Sequence, residues 1–157
     1  HYLNGPLEAY AELAEGRRVL VLCSNNYLGL ANHPEVVAAG KRGLEEFGAG
    51  TASVRFICGS LTCHQALEAA IARFVGTESS LSYVSCWNAN EALFPTLTQP
   101  GDVVFSDELN HASIIDSLRL MPRGVEKQIY PHNDLAALEQ RLRETACEGV
   151  RWVVTDG

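Results

Sequence analysis

The clearest structural pattern in the sequence is at Gly101–Leu120, which reads GDVVFSDELNHASIIDSLRL. Its first part, Val103–Phe105, is a run of β-branched and aromatic residues that predicts a buried strand. Its last part, Ala112–Leu120, carries apolar residues at helical spacing and predicts a helix. Residues 106–111 form the turn between them, so this stretch is one strand–turn–helix unit.

The alternation of strand and helix continues on both sides of this unit. Strands separated by helices require crossover connections, and such connections give parallel strands. We therefore predict an α/β fold with a mostly parallel sheet and helices on both faces. The predicted strands are 19–23, 81–84, 103–105, 125–130 and 151–155, and the predicted helices are 34–47, 63–75, 88–97, 112–120 and one from residue 135 that Gly149 closes.

The sequence also predicts how the second helix is capped and where the domain begins. Thr62 is predicted to cap the second helix, with the Gln65 side chain reaching back to it. Residues 1–33 are predicted to form a separate N-terminal segment, and 34–157 an incomplete domain. An α/β sheet ordinarily covers its last strand with a helix, and none follows residue 155. We accordingly expect the chain to be part of a longer protein.

The composition excludes several classes of protein. The 157 residues are 46% apolar and 20% charged, as in a globular domain. With 12 basic and 19 acidic residues the net charge is −7, which argues against nucleic acid and anionic membranes as partners. The 5 scattered cysteines favour a reducing compartment, so we expect a cytoplasmic protein. No Cys/His set has the spacing of a zinc site, and no metal is expected.

Open α/β sheets bind ligands at the turns that follow the carboxyl ends of their strands. Three such turns in this sequence carry residues that could bind a ligand or take part in catalysis. Ser85–Asn88 precedes a helix whose free N–H groups suit a phosphate; the alternative is an ordinary Ser85 cap with a packed Trp87. His111 begins another helix, where an imidazole suits stacking on a flat ligand or proton transfer; the alternative is a capping histidine. Asn25 lies in a third turn, a weak signal because turns favour asparagine.

The motifs in and around these turns resemble a known family. NNYLGL at 25–30, ICG at 57–59, LNHASIID at 109–116 and TDG at 155–157 are similar to the α-oxoamine synthases. Those are pyridoxal-phosphate (PLP) enzymes of the aspartate-aminotransferase fold that condense an amino acid with an acyl-CoA. The resemblance covers residues 5–157. It implies that the chain is part of the large PLP-binding domain of a homodimeric acyltransferase of amino-acid metabolism.

One branch of the family resembles the chain most. RFICGS at 55–60 and SCWNAN at 85–90 are most similar to the branch that joins glycine to acetyl-CoA and forms 2-amino-3-oxobutanoate. The alternatives are the 8-amino-7-oxononanoate synthases of biotin biosynthesis, or a truncated segment without catalysis that binds at most a phosphate or a partner subunit.

The resemblance also implies roles for individual residues. Cys86 and Trp87 correspond to the pair whose main-chain N–H groups hold the PLP phosphate. His111 corresponds to the catalytic histidine that stacks on the pyridine ring and faces the substrate. Asn25 corresponds to an asparagine that helps to orient the substrate near its carboxylate.

The covalent part of the family's site is not expected in this chain. The family's Schiff-base lysine and the aspartate that pairs with the pyridine nitrogen lie downstream of TDG. Of the two lysines present, Lys41 is expected to face solvent from a helix and Lys127 to lie inside a strand. Arg55 and His64 match family positions of a structural or interfacial kind and receive no site role. The sequence therefore predicts half of an active site.

Overall fold

The computed structural model describes residues 2–156 of the chain. Its contacts group the chain into two compact units, His1–Leu67 (unit 1) and Glu68–Gly157 (unit 2). The division predicted from the sequence, a segment 1–33 followed by an incomplete domain 34–157, stays a prediction.

Unit 1 opens with a three-stranded antiparallel sheet. Strand β1 (Leu3–Asn4) pairs with β2 (Tyr10–Leu13), and β2 pairs with β3 (Arg18–Leu20). The hairpin between β2 and β3 turns at Gly16, whose φ of +82° favours glycine. The strand predicted at 19–23 is therefore shorter than expected and antiparallel. Strands β1 and β2 are not predictable from the sequence, because such short strands carry little apolar pattern.

The first helix, α1 (Pro34–Phe47), has the predicted limits. His33 precedes it and caps it, because its Nδ1 accepts the Glu35 N–H at 3.3 Å. Gly48 ends it with a φ of +78°, a conformation that favours glycine.

The second helix, α2 (Thr62–Val75), is capped one residue earlier than predicted. The Leu61 carbonyl accepts the Gln65 N–H at 3.4 Å, and the Leu61 N–H donates to His64 Nδ1 at 2.9 Å. The predicted capping box on Thr62 and Gln65 is therefore wrong. Because Leu61 has no side-chain acceptor, the imidazole at the third helical position makes the reciprocal bond instead.

Unit 2 contains a parallel three-stranded sheet of order β5–β4–β6. Strand β4 (Val103–Asp107) pairs with β5 (Glu126–Tyr130) on one side and with β6 (Arg151–Val154) on the other. All residues of β4 are buried, as a strand covered on both faces must be. The predicted parallel sheet is confirmed.

Helices cover both faces of this sheet, also as predicted. Helices α3 (Cys86–Leu97) and α4 (Ala112–Arg119) pack on the face that carries Val104. Helix α5 (Leu135–Glu144) packs on the opposite face, which carries Phe105. Successive side chains of a strand point to opposite faces, so β4 supplies the centre of both hydrophobic clusters.

Two predicted features of unit 2 are wrong. Residues 81–84 are not a strand, because the Ser82 N–H and hydroxyl both bind the Glu68 carboxylate, at 2.9 and 2.8 Å, instead of a neighbouring strand. Helix α5 ends at the cap residue Thr145, where the backbone becomes extended, and not at Gly149.

Asp102 fastens the start of β4 to the start of β6. Its buried carboxylate accepts the Val150 N–H at 2.7 Å, the Gln99 N–H at 3.0 Å and the Trp152 Nε1–H at 3.1 Å. These bonds, the one from Val150 foremost, hold the pKa of Asp102 below its usual value. Gly149 lies against this carboxylate: a Cβ there would sit 2.2 Å from Asp102 Oδ1.

Candidate functional site

The turn before α3 presents two unused main-chain donors. Ser85 is the N-cap: its Oγ accepts the Asn88 N–H at 3.2 Å, and its carbonyl accepts the Ala89 N–H at 3.1 Å. The N–H groups of Cys86 and Trp87 have no acceptor within residues 2–156. The Ser85 cap and the anion-binding turn are therefore compatible, because the cap uses one donor and leaves two for a ligand.

The turn after β4 places His111 beside Trp87. His111 is the N-cap of α4, and its imidazole meets the indole edge to face, with ring centroids 6.1 Å apart and planes at 80°. Trp87 keeps 43% of its surface exposed, so a face of this aromatic pair is open to a ligand. The structure thus brings together two of the predicted site residues, one from each turn.

Asn110 fixes the main chain on which His111 is carried. Its Nδ2 donates to Ser106 Oγ at 2.9 Å and to the Val154 carbonyl at 3.1 Å, and its Oδ1 accepts the Asp156 N–H at 2.7 Å. Asp156 Oδ2 in turn accepts the His111 N–H at 3.2 Å. The carboxyl ends of β4 and β6 are therefore joined at the residue preceding His111.

A second carboxylate joins the same turn to the end of β5. Asp107 is buried, and its carboxylate accepts the Leu109 N–H at 2.9 Å and the Asn133 N–H at 3.0 Å. His132 Nδ1 lies 3.0 Å from the same carboxylate. The Asn133 bond foremost, with those from Leu109 and His132, holds the pKa of Asp107 below its usual value against the effect of burial. His132 is half exposed. Three strand ends thus meet around the turn that carries His111.

Asp107, Asn110, His132 and Asp156 were not among the predicted site residues. Their bonds to other strand ends link residues 24 to 46 positions apart, and no local pattern shows such pairing. One signal was available: each of these polar residues lies in the turn that follows a predicted parallel strand, and the carboxyl ends of parallel strands meet at one edge of a sheet.

Asn25 lies in unit 1, and its amide is exposed. Its Oδ1 accepts the Tyr27 hydroxyl at 3.2 Å. The neighbouring Asn26 has the structural role: its Oδ1 accepts the Ala31 N–H at 3.1 Å, and its Nδ2 donates to the Leu7 carbonyl at 3.2 Å. Of the two asparagines, Asn25 is thus the one whose amide is available for another partner.

Neither lysine lies in the two turns of unit 2 that carry Trp87 and His111. Lys41 lies exposed in α1 of unit 1. Lys127 is exposed on β5 and pairs with Val104, near the amino end of β4, whereas the turn that carries His111 follows the carboxyl end, where Asp107 pairs with Tyr130. Both placements agree with the expected helix and strand positions.

The other singled-out residues have structural contacts. Arg55 Nε donates to Ser60 Oγ at 3.0 Å, and His64 caps α2. Within residues 2–156 there is no group of three or more His, Cys, Asp or Glu side chains that suits a metal ion. No helix in the described part of the chain has the length and apolar character to cross a membrane.

Comparison with known proteins gives close relatives. The chain is 54% identical over 139 residues to the human mitochondrial 2-amino-3-ketobutyrate coenzyme A ligase, covering 88% of this chain and 33% of that protein. It is 48% identical over 145 residues to the 8-amino-7-oxononanoate synthase of Geobacter sulfurreducens, covering 92% and 37%. The chain thus spans little more than a third of the length of the curated relatives it matches.

A solved structure has the same fold. Serine palmitoyltransferase from S. paucimobilis, solved with bound PLP and myriocin, superposes with a TM-score of 0.87 at 32% identity, covering 92% of this chain and 37% of that one. Residues 17–157 match the family of class I and II aminotransferases, which is most of the chain. The chain therefore belongs to the aminotransferase class I and II family.

Proposed function

We propose that the whole protein is a PLP-dependent acyltransferase that condenses glycine with acetyl-CoA to give 2-amino-3-oxobutanoate. The observation that carries this proposal is the pairing of two free N–H donors, on Cys86 and Trp87, with the His111 ring beside them. An anion-binding turn next to an open aromatic face suits a phosphorylated aromatic cofactor. The name of the human relative supports the ligase reaction, and the bound PLP of the palmitoyltransferase supports the cofactor.

The residues present fit one end of PLP. The main-chain N–H groups of Cys86 and Trp87 would bind its phosphate, where the dipole of α3 favours negative charge. The His111 imidazole would lie against the pyridine ring and face the amino-acid substrate, and Asn25 would orient the substrate carboxylate. PLP bound in this way supplies an electron sink for negative charge at the substrate α-carbon. Neither Lys41 nor Lys127 is proposed to hold PLP covalently.

Asn110 and Asp107 would support this arrangement without touching the ligands. They fix the turn between β4 and α4 from both neighbouring strand ends, so the His111 ring would meet its ligand without first being ordered. Pre-ordering of this kind places a catalytic group at no entropic cost during the reaction.

The second candidate is an 8-amino-7-oxononanoate synthase, and the Geobacter relative favours it. The two are separated by steady-state kinetics on the purified whole protein. For the ligase activity we expect bound PLP and a higher kcat/KM for glycine with acetyl-CoA than for alanine with a longer acyl-CoA. The reverse order would support the second candidate. PLP binding without condensation of any acyl-CoA would contradict both.

The proposed assembly is a cytoplasmic homodimer. Unit 1 exposes large apolar side chains, among them Phe56 at 88% and Ile57 at 70% exposure. Exposed apolar side chains of this kind are commonly covered by a partner subunit, which supports the homodimer. The human relative is named as mitochondrial, so the compartment differs among relatives. Light scattering on the whole protein tests the assembly, and a monomeric mass would contradict it.

A further inference from the structure

The His111 ring makes two contacts through one nitrogen. The Ser113 main-chain N–H donates to His111 Nδ1 at 3.2 Å, and the Ser113 hydroxyl lies 2.7 Å from the same nitrogen. A main-chain N–H is always a donor, so Nδ1 must offer its lone pair. A neutral imidazole with an unprotonated Nδ1 carries its proton on Nε2.

A third residue fixes the direction of the hydroxyl. Asn90 Nδ2 donates to Ser113 Oγ at 2.9 Å. Because this bond occupies the Ser113 oxygen as an acceptor, the Ser113 hydroxyl proton is free to point at His111 Nδ1. Asn90 therefore donates to the Ser113 hydroxyl, and that hydroxyl donates to His111 Nδ1 beside the Ser113 main-chain N–H.

These supporting groups are held rigidly. Ser113 is 1% exposed, on the face of α4 that packs against α3. Ser117, one turn along α4, donates its hydroxyl to the Asn90 carbonyl, so the main chain that carries the Asn90 amide is also fixed. His111 Nε2 has no protein partner within the described residues.

We propose that Ser113 and Asn90 are positioning residues that hold His111 as the Nε2–H tautomer, so that the ring presents a hydrogen-bond donor to its ligand and no base at Nε2. The ligand class that fits such a donor is an oxygen acceptor, a carboxylate or a carbonyl. The identity of the ligand rests on the proposed function, whereas the state of the ring does not.

The test is nitrogen NMR of the whole protein labelled with ¹⁵N-histidine, with the His111 signals assigned by their loss in His111→Gln. In the unsubstituted protein we expect a proton on Nε2 and none on Nδ1. Asn90→Asp keeps the side-chain shape but replaces the donor with an acceptor. The Ser113 hydroxyl should then turn to the carboxylate, and the His111 Nδ1 resonance should shift because only the Ser113 main-chain N–H still donates to it.

Thr98→Val is the control, because it removes a buried hydroxyl that donates to the Phe94 carbonyl at 2.7 Å and touches neither Asn90 nor Ser113 nor His111. It should leave the ring signals unchanged. Ser113→Ala serves where Asn90→Asp does not fold: it should shift the Nδ1 resonance and lower kcat about fivefold, the effect of one lost hydrogen bond.

A proton on Nδ1 in the unsubstituted protein would overturn the proposal, as would identical His111 signals in Asn90→Asp or Ser113→Ala. The ring signals are read without cofactor or substrate. Failure of the acyltransferase proposal would therefore appear in the kinetics and leave this result untouched.

Discussion

The indole ring of Trp87 meets the imidazole of His111 edge to face, at 6.1 Å between centroids. This contact joins the helix that would bind the phosphate to the turn that would face the substrate. If His111 acts on the substrate, His111→Ala should lower kcat by roughly 10²-fold, the scale of a placed catalytic group. Cofactor should remain bound through its phosphate. Steady-state kinetics and bound-PLP absorbance measure the two effects.

The control for this variant is His33→Ala. His33 caps α1 by the same bond that His111 makes at α4, from the N–H two residues ahead to Nδ1. It therefore reports the cost of losing a histidine cap without loss of the candidate catalytic ring. Near-normal turnover in His111→Ala, or an equal loss in His33→Ala, would contradict the assigned role.

The Cys86 side chain is not required for phosphate binding if the donors are main-chain groups. Cys86→Ala should change the dissociation constant of PLP by less than about threefold, because it leaves the N–H groups of Cys86 and Trp87 in place. Equilibrium dialysis of the whole protein measures this. A loss as large as that of the whole site would instead assign the function to the thiol.

The buried carboxylate of Asp107 should make stability depend on pH. Its pKa in the folded protein lies below the ordinary value of 3.8, chiefly because the Asn133 N–H donates to it. A carboxyl with a lowered folded pKa adds stability above its unfolded pKa and loses it as the pH falls through the folded value.

We therefore expect Asp107→Asn to lower the urea midpoint at pH 7, and the difference from the unsubstituted protein to shrink below about pH 4. Asp116→Asn is the control, since Asp116 pairs with Arg119 at 2.5 Å on the surface and such pairs contribute little. An Asp107→Asn difference that persists unchanged at low pH would show that the carboxylate charge is not the cause.

Two glycines should respond to alanine in opposite directions. At Gly149 a Cβ would lie 2.2 Å from Asp102 Oδ1 and 3.1 Å from its main-chain nitrogen, so Gly149→Ala should destabilise unit 2 by more than about 1 kcal/mol. At Gly43, inside α1, nothing lies within 4 Å, and Gly43→Ala should stabilise the helix by up to about 1 kcal/mol. Denaturation midpoints of the two variants measure both, and equal effects would contradict this account of Gly149.

The 157-residue chain produced by itself should not form a covalent PLP adduct. Lys41 and Lys127 are exposed and lie away from the turns that carry Trp87 and His111 in sequence and in strand register. Spectra with added PLP should lack the yellow absorbance of a lysine adduct, and the chain should aggregate through exposed side chains such as Phe74, which is 90% exposed. Borohydride trapping of PLP on either lysine would contradict this prediction.

The parallel sheet could be predicted because buried strands and amphipathic helices carry strong local patterns. The strand 103–105 and the helix 112–120 are examples: the structure extends the strand to Asp107 and ends the helix at Arg119. The run at 81–84 carries the same apolar pattern, yet a strand also requires a neighbour to pair with, and its Ser82 binds Glu68 instead. Pairing is a property of distant residues, so the local pattern is ambiguous there.

The candidate site was predictable in part for the same reason. Residues at helix starts, such as Trp87 and His111, are marked by their position in a strand–turn–helix pattern. The residues that hold them, such as Asn110, act through bonds to positions more than forty residues away. Their contribution depends on which strands are neighbours, and that becomes visible only in three dimensions.

The central strand β4 also determines how amide protons exchange with solvent. It is paired on both sides and covered on both faces, so its amides can exchange only when unit 2 opens as a whole. Helix α1, which has no buried residue, can exchange by fraying. In deuterium exchange, the amides of Val104, Phe105 and Ser106 should therefore be the last of this sheet to be labelled, and their rates should report the global stability of the unit that carries His111.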